Sequence, residues 1–124
     1  SKITSRIYMG NLGGARDFEG LLKRGITTIV NCTKSEKNMF FPGAFDYIHI
    51  PVGDSQRRVD QDIMKYGVYE LIQYFCENPK SVLFVHCAEG ISRSATVVLM
   101  LLAEFYVCGR MDALRFLQSK RSCV

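Results

Sequence analysis

Short apolar runs alternate with amphipathic segments along the chain. The runs are rich in β-branched and aromatic residues, as strands are, and they fall at about residues 6–9, 27–32, 46–51 and 82–86. Between and after them, apolar residues recur at helical spacing. This alternation of strands and helices predicts an α/β domain built on a central, mostly parallel sheet.

Four helices are predicted from the helical spacing. The first carries Phe18, Leu21 and Leu22 on one face and stops at Gly25, a typical helix-ending residue. Residues 34–45 combine charged and turn-forming residues and are interpreted as a surface loop. The helices are expected at about residues 15–24, from a cap at Asp60 to Asn78-Pro79, at 93–107, and from Met111-Asp112 onward.

Length and composition indicate one domain. A chain of 124 residues can bury a core without disulfides or metals, so residues 1–124 are interpreted as a single domain. The longest apolar run, residues 95–107, is interrupted by Glu104 and is too short to span a membrane. No signal peptide precedes the first strand, and the absence of an initial methionine suggests a domain excerpt.

Cysteine content and charge indicate in which cellular compartment the protein acts and which kinds of partner it binds. The five cysteines are an odd number without metal-ligand spacing, which favours free thiols in the cytoplasm or nucleus. The net charge of +4 is spread out and would steer anionic substrates. Nucleic-acid binding is disfavoured because no basic run interleaves with aromatic residues. The cysteines are Cys32, Cys76, Cys87, Cys108 and Cys123.

The segment from His86 to Ser94 carries the clearest chemical pattern. An apolar strand ends at Cys87, five small or turn-tolerant residues follow, and Arg93 precedes a strongly helical segment. A strand, a tight loop and a helix N-terminus aim backbone N–H groups and the positive end of the helix dipole at one point. The segment is therefore interpreted as an anion cradle with a thiol at its base.

The residue types in this cradle favour nucleophilic catalysis. The helix N-terminus and backbone donors should lower the pKa of Cys87, and the planar fork of Arg93 can bind two oxygens of a phosphoryl group. Gly90 allows a close backbone approach, and the hydroxyls of Ser92 and Ser94 can bond within the loop or to the sulfur. A thiolate below a phosphoryl group can attack in line and form phosphocysteine. The alternative is an inert, buried core thiol, which the loop and the arginine disfavour.

These residues resemble the HCxxGxSRS signature of the dual-specificity branch of the cysteine-dependent protein phosphatases. The segments Ile7–Asn11, Ile29–Thr33 and Ile50–Asp54 resemble further landmarks of that family, in the same order. The resemblance implies a protein tyrosine phosphatase-like fold, in which helices flank a central five-stranded mixed sheet. A short strand near Ile3-Thr4 would then be the fifth strand.

The leaving oxygen needs a proton donor on a loop above the cradle. Asp54 follows a strand and precedes a helix, and it matches the acid of the family by position. Asp60 and Asp62 are nearby rivals, but they are better explained as a helix cap and a first-turn charge.

The resemblance also implies roles for the residues around the thiol. His86 would hydrogen-bond locally and tune the thiolate, and Ser94 would stabilise the sulfur when water hydrolyses phosphocysteine. Asp54 would then act as base toward that water. The phosphoryl group would be bound by Ala88, Glu89, Gly90, Ile91, Ser92 and Arg93.

The expected activity is metal-independent hydrolysis of phosphotyrosine and phosphoserine or phosphothreonine in phosphoproteins, without a cofactor. Nucleic acid and membrane are not expected partners, and the sequence does not define an oligomeric state. Glu89 and the absence of lysine in the loop disfavour the alternative of a lipid or RNA 5′-phosphatase. Arg57 and Arg58 are either solvated or contacts for acidic residues and a second phosphate. A phosphopeptide-binding module is the other alternative, and such proteins typically lack the cysteine or the arginine.

Two further points concern Cys32 and the end of the chain. Cys32 ends a neighbouring strand and is either a packed core thiol, the favoured interpretation, or a resolving partner for Cys87. The family usually continues past the last helix with an Asn-Pro-like turn and a further apolar helix. This chain stops at residues 121–124. We expect that the segment was cut, or that it is absent and leaves some core exposed.

Overall fold

The structure is a computed structural model that describes residues 1–51, 53, 58–88, 92–106 and 109–121, with the backbone alone for Ser92 and Arg110. Within these ranges the chain forms a five-stranded mixed sheet of order β1-β2-β5-β3-β4. Strand β1 is antiparallel to β2, and the other neighbouring pairs are parallel. The strands are β1 (Lys2–Thr4), β2 (Ile7–Gly10), β3 (Thr28–Asn31), β4 (Asp46–His49) and β5 (Leu83–His86). The predicted five-stranded mixed sheet, including the strand near Ile3-Thr4, is confirmed.

The parallel register brings four strand ends into one row. Gly10 of β2, Asn31 of β3 and His49 of β4 lie level with His86 of the central strand β5. Because these strands are parallel, the segments that follow them leave the sheet at the same edge, where α/β proteins place their sites. Residue 87 therefore emerges in the middle of this edge.

The helices flank the sheet as expected, with some different bounds. The fourth helix covers most of the predicted 93–107, and the fifth begins one residue before Met111. A short 3₁₀ helix, Glu36–Asn38, interrupts the loop after β3. The α-helices in the described part of the chain are α1 (Leu12–Ala15), α2 (Phe18–Lys23), α3 (Arg58–Glu77), α4 (Ser92–Phe105) and α5 (Arg110–Lys120). None of them is both long and apolar enough to cross a membrane.

The helix predicted over residues 15–24 is present but shorter, as α2 (Phe18–Lys23), and a separate short helix, α1 (Leu12–Ala15), precedes it. The Asn11 side chain accepts a hydrogen bond from Gly14 N at 3.0 Å and caps α1. The Asp17 side chain accepts one from Gly20 N at 3.1 Å and starts α2. Asp and Asn favour such caps over helix interiors because their side chains compete for backbone donors. Gly25 ends α2 with φ +73°, as predicted.

The long helix α3 begins at Arg58, so Asp60 lies in its first turn and the prediction that Asp60 caps the helix is wrong. The predicted end at Asn78-Pro79 is confirmed, since the last helical residue is Glu77. The face that packs on the sheet buries four residues at helical spacing: Met64, Val68, Leu71 and Phe75.

Two apolar clusters cover the two faces of the sheet. The larger one joins α3, α4 and α5 to inward residues of the strands such as Val30 and Val85. The smaller one joins α1 and α2 to Ile29 and Phe84 on the opposite face. Phe45 is buried in this smaller cluster, so residues 34–45 are only partly a surface loop. Successive side chains of β3 and β5 therefore point to opposite faces of the sheet, and both faces are buried.

Candidate functional site

The predicted nucleophile lies where the central strand ends. Strand β5 stops at His86, Cys87 follows with 2% of its surface exposed, and α4 begins at Ser92. The thiol therefore lies beyond the sheet edge, in the short connection that leads to the N-terminus of a fourteen-residue helix. Ala88 O accepts a hydrogen bond from Leu12 N at 3.4 Å, which ties this connection to α1. Glu89, Gly90 and Ile91 lie outside the described residues.

Ser94 places its hydroxyl group beside the thiol of Cys87. It is fully buried in the first turn of α4, and its Oγ lies 3.5 Å from Cys87 Sγ. A hydroxyl at this distance can donate a hydrogen bond to a thiolate sulfur, which carries no proton of its own. The fold thus brings together two predicted site residues seven positions apart in the sequence.

Arg93 precedes Ser94 and is half-buried in the same turn. Its positive charge is felt at Cys32, where it lowers the thiol pKa, whereas the neighbouring Cys87 raises that pKa. Arg93 and Cys87 therefore each lie within electrostatic range of the Cys32 thiol.

Cys32 lies beside Cys87, directly after the neighbouring strand β3. It is fully buried and donates its backbone N–H to His86 O at 2.8 Å. Burial is the main cause that raises the pKa of the Cys32 thiol to about 12, so the thiol stays protonated at neutral pH. These features suit the predicted core thiol, and the role of resolving partner stays a prediction.

His86 is fully buried below the thiol. Its Nδ1 lies 3.4 Å from Cys87 O, which fits the predicted local hydrogen bond if Nδ1 carries the proton. Burial lowers the pKa of His86, and the contact with the carbonyl raises it only in part. The imidazole is therefore neutral at pH 7 and contacts the backbone of Cys87 without adding a charge.

The predicted general acid, Asp54, lies outside the described residues, as does Arg57. The structure does describe Gly53 before it and Asp60 after it. Asp60 is 4% exposed, and its Oδ1 accepts a hydrogen bond from Gly53 N at 3.3 Å. Asp60 thus binds backbone before the helix. Asp62 is exposed on α3 but is not among its first-turn residues, so the prediction of a first-turn charge is wrong for Asp62. Arg58 is exposed at the start of α3.

The sequence analysis missed a polar network that shapes the loop after β3. The buried Asn31 accepts hydrogen bonds from Thr33 N at 2.9 Å and Thr33 Oγ1 at 2.6 Å, and its Nδ2 donates to Ser35 O at 3.0 Å. On β4, His49 Nε2 lies 2.6 Å from Thr33 O. The available signal in the sequence was an asparagine at the end of an apolar run, because a polar side chain that is buried there needs hydrogen-bond partners. In the described part of the chain, no three His, Cys, Asp or Glu side chains are grouped to hold a metal ion.

A buried thiol at the end of the central strand, followed by an arginine in the first helical turn, defines the class of cysteine-dependent phosphatase domains. Residues 7–124 match the family described as dual specificity phosphatase, catalytic domain, and the chain belongs to this family. The family and fold predicted from the sequence are thus confirmed.

Individual relatives agree with this assignment. The chain is 32% identical over 125 residues to human dual specificity protein phosphatase 22, covering 99% of this chain and 65% of that protein. It is 32% identical over 126 residues to the protein phosphatase Slingshot of Drosophila melanogaster, covering 100% of this chain and 12% of that protein. The crystal structure of DUSP15 superposes with a TM-score of 0.84 at 26% identity, covering 100% of this chain and 77% of that one. The chain thus spans less than two thirds of the length of each of these two curated relatives.

Proposed function

We propose that this domain hydrolyses phosphotyrosine and phosphoserine or phosphothreonine in proteins through a phosphocysteine intermediate, without a metal ion. The observation that carries the proposal is the placement of Cys87 Sγ 3.5 Å from Ser94 Oγ, between the end of β5 and the N-terminus of α4. Membership in the dual-specificity phosphatase family supports phosphoproteins as the substrates.

In the first chemical step, the Cys87 thiolate attacks phosphorus, so that an S–P bond forms and the ester O–P bond breaks. Arg93 and the backbone amides of residues 88–93 bind the non-bridging oxygens, whose negative charge the helix N-terminus also favours. Asp54, in its protonated form, donates a proton to the departing oxygen of the tyrosine, serine or threonine side chain.

In the second step, water attacks the phosphocysteine and releases inorganic phosphate. Asp54, now a carboxylate, accepts a proton from the water, and the S–P bond breaks. Ser94 Oγ donates a hydrogen bond to the sulfur as it regains its negative charge, which makes the thiolate a better leaving group. Ser94 thus assists mainly this second step.

The substrate class and the compartment are proposed from the residues of the loop and from the cysteines. Glu89 and the absence of lysine between Cys87 and Arg93 favour a phosphoprotein over a polyanionic lipid headgroup or an RNA 5′ end. Cys32 and Cys87 are buried and form no disulfide, which fits a reducing compartment, so we propose a site of action in the cytoplasm or nucleus.

The test is hydrolysis of a phosphotyrosine peptide and a phosphothreonine peptide in the presence of EDTA. We expect the parent to hydrolyse both, and vanadate to inhibit it. Cys87→Ser should abolish turnover, whereas Cys76→Ser, which changes an exposed cysteine on α3, should leave it unchanged. Asp54→Ala should lower kcat by about 10²- to 10⁴-fold, the usual contribution of a general acid. Ser94→Ala should show a burst of dephosphorylated peptide followed by slow turnover.

Phosphopeptide binding without turnover by the parent would instead identify the domain as a binding module. The presence of both Cys87 and Arg93 argues against that alternative. Activity that EDTA abolishes would contradict the metal-independent mechanism.

A further inference from the structure

Asp60 is a buried carboxylate for which the proposed mechanism has no use. It lies in the first turn of α3 with 4% of its surface exposed. Burying a charged group is unfavourable unless hydrogen bonds or opposite charges compensate it. One such bond runs from Gly53 N to Asp60 Oδ1 at 3.3 Å, so this carboxylate is held against backbone outside its own helix.

The packing around Gly53 is tight on both sides. A Cβ atom on Gly53 would lie 3.1 Å from each carboxylate oxygen of Asp60 and 2.9 Å from Lys34 Cε. The bare backbone of Gly53 is thus enclosed between the carboxylate and a lysine side chain from the loop after β3. Three segments therefore meet at this glycine: the loop after β3, the segment after β4, and the start of α3.

This contact lies one peptide bond from the proposed general acid. Consecutive Cα atoms are about 3.8 Å apart, so an anchored Gly53 restricts where residue 54 can lie. A general acid works only within hydrogen-bond reach of the leaving oxygen, and small displacements lower the rate steeply. We propose that Asp60 is a positioning residue that holds Gly53 and thereby keeps Asp54 in place for proton donation. This inference rests on the function proposed above.

The test compares two aryl phosphates that differ in their need for an acid. Phenyl phosphate has a poor leaving group that needs protonation, whereas a fluorinated umbelliferyl phosphate leaves readily without it. We expect Asp60→Ala to lower kcat/KM on phenyl phosphate by about 10-fold or more and on the activated substrate by less than about 3-fold. The acid limb of the pH profile should change as it does in Asp54→Ala.

Matched variants separate positioning from a general loss of structure. Asp60→Asn keeps the shape and an acceptor oxygen and should restore most of the phenyl phosphate activity. Asp62→Ala removes an exposed carboxylate from α3 and should change neither substrate. In the Asp54→Ala background, Asp60→Ala should cause no further loss, because both changes remove the same proton donation.

Several outcomes would overturn the proposal. A loss in Asp60→Ala that is equal on both substrates, or no loss at all, would show that Asp60 does not act through the acid. If Asp60→Ala fails to fold, Gly53→Ala provides the same comparison, because its methyl group displaces the carboxylate or Lys34; equal losses there would refute the idea. A parent inactive on both substrates would instead refute the proposed function, and this inference with it.

Discussion

At the scale of single residues, the region below the nucleophile contains buried polar groups in an otherwise apolar sheet. His86 and Asn31 end adjacent strands, are fully buried, and hydrogen-bond to the backbone that leads away from the sheet. In the described part of the chain, His86 Nε2 has no hydrogen-bond partner, which adds to the unfavourable effect of burying this side chain. His86 should therefore carry a measurable dependence of stability on pH.

We predict that His86 weakens the fold as the pH falls below its ordinary pKa. Burial lowers the folded-state pKa below 6.5, so the unfolded chain takes up a proton first. The stability associated with neutral His86 is present above pH 6.5 and is lost as the pH falls toward the folded pKa. The loss is at most about 1.4 kcal/mol per pH unit.

The measurement is the free energy of unfolding by urea at pH 7 and pH 5. His86→Asn should show a smaller decrease between the two values than the parent, because its amide does not titrate. His49→Asn, on β4 of the same sheet, is the matched control and should keep more of the decrease. An equal decrease in the parent and in His86→Asn would contradict the prediction.

At the scale of elements, α3 packs closely on the segment that leads from β4 toward Gly53. Gly67 faces Ile50, and a Cβ atom on Gly67 would lie 2.6 Å from Ile50 Cγ2. Ile50 is 1% exposed and has little room to move. The glycine therefore permits a close approach of helix and chain three residues before Gly53.

We predict that Gly67→Ala destabilises the domain, although alanine is the better helix former. Helix propensity favours alanine by about 1 kcal/mol, but overpacking of a full core typically costs about 1–3 kcal/mol. Thermal unfolding should show a lower Tm for Gly67→Ala and little change for Gly43→Ala, whose added methyl group would meet open space. A higher Tm for Gly67→Ala would show that Ile50 can yield.

The elements also show where sequence patterns suffice. Four strands were predicted from short apolar runs to within one or two residues at each end, and the apolar face of α3 follows from helical periodicity. The break between α1 and α2 was not predicted, because apolar spacing continues through it and only the hydrogen bond of the Asp17 side chain interrupts the helix. Of the three residues predicted on one face, Leu21 is fully buried, whereas Phe18 and Leu22 are 37% and 52% exposed.

At the scale of the whole molecule, the parallel strands direct their connections to one edge and so assemble a site from distant segments. Cys87, Cys32 and the Asp60–Gly53 contact belong to different connections between strands and helices. The net charge of +4 favours the approach of anionic ligands to the molecule as a whole. Encounter with an anionic phosphopeptide should therefore depend on salt.

We predict that kcat/KM for an acidic phosphopeptide falls by about 2- to 10-fold as NaCl rises from about 20 to about 300 mM, because salt screens long-range attraction. The value of kcat should stay nearly constant, since the bound phosphoryl group is shielded from bulk ions. A phosphopeptide with neutral flanking residues is the control and should show a weaker dependence. Equal salt dependence for both peptides would contradict the prediction, because it would show that salt weakens only the binding of the phosphate group.

The sequence by itself determined the family, the order of strands and helices, and the local unit that runs from β5 through Cys87 and Arg93 into α4. These depend on spacing within a few residues and on backbone preferences, which act locally. Only the tertiary structure decided that Asp60 binds Gly53 and that Asn31 shapes the next loop. The reason is that strand register and helix packing are set by burial across the whole core, so residues far apart in the chain meet only when the sheet is assembled.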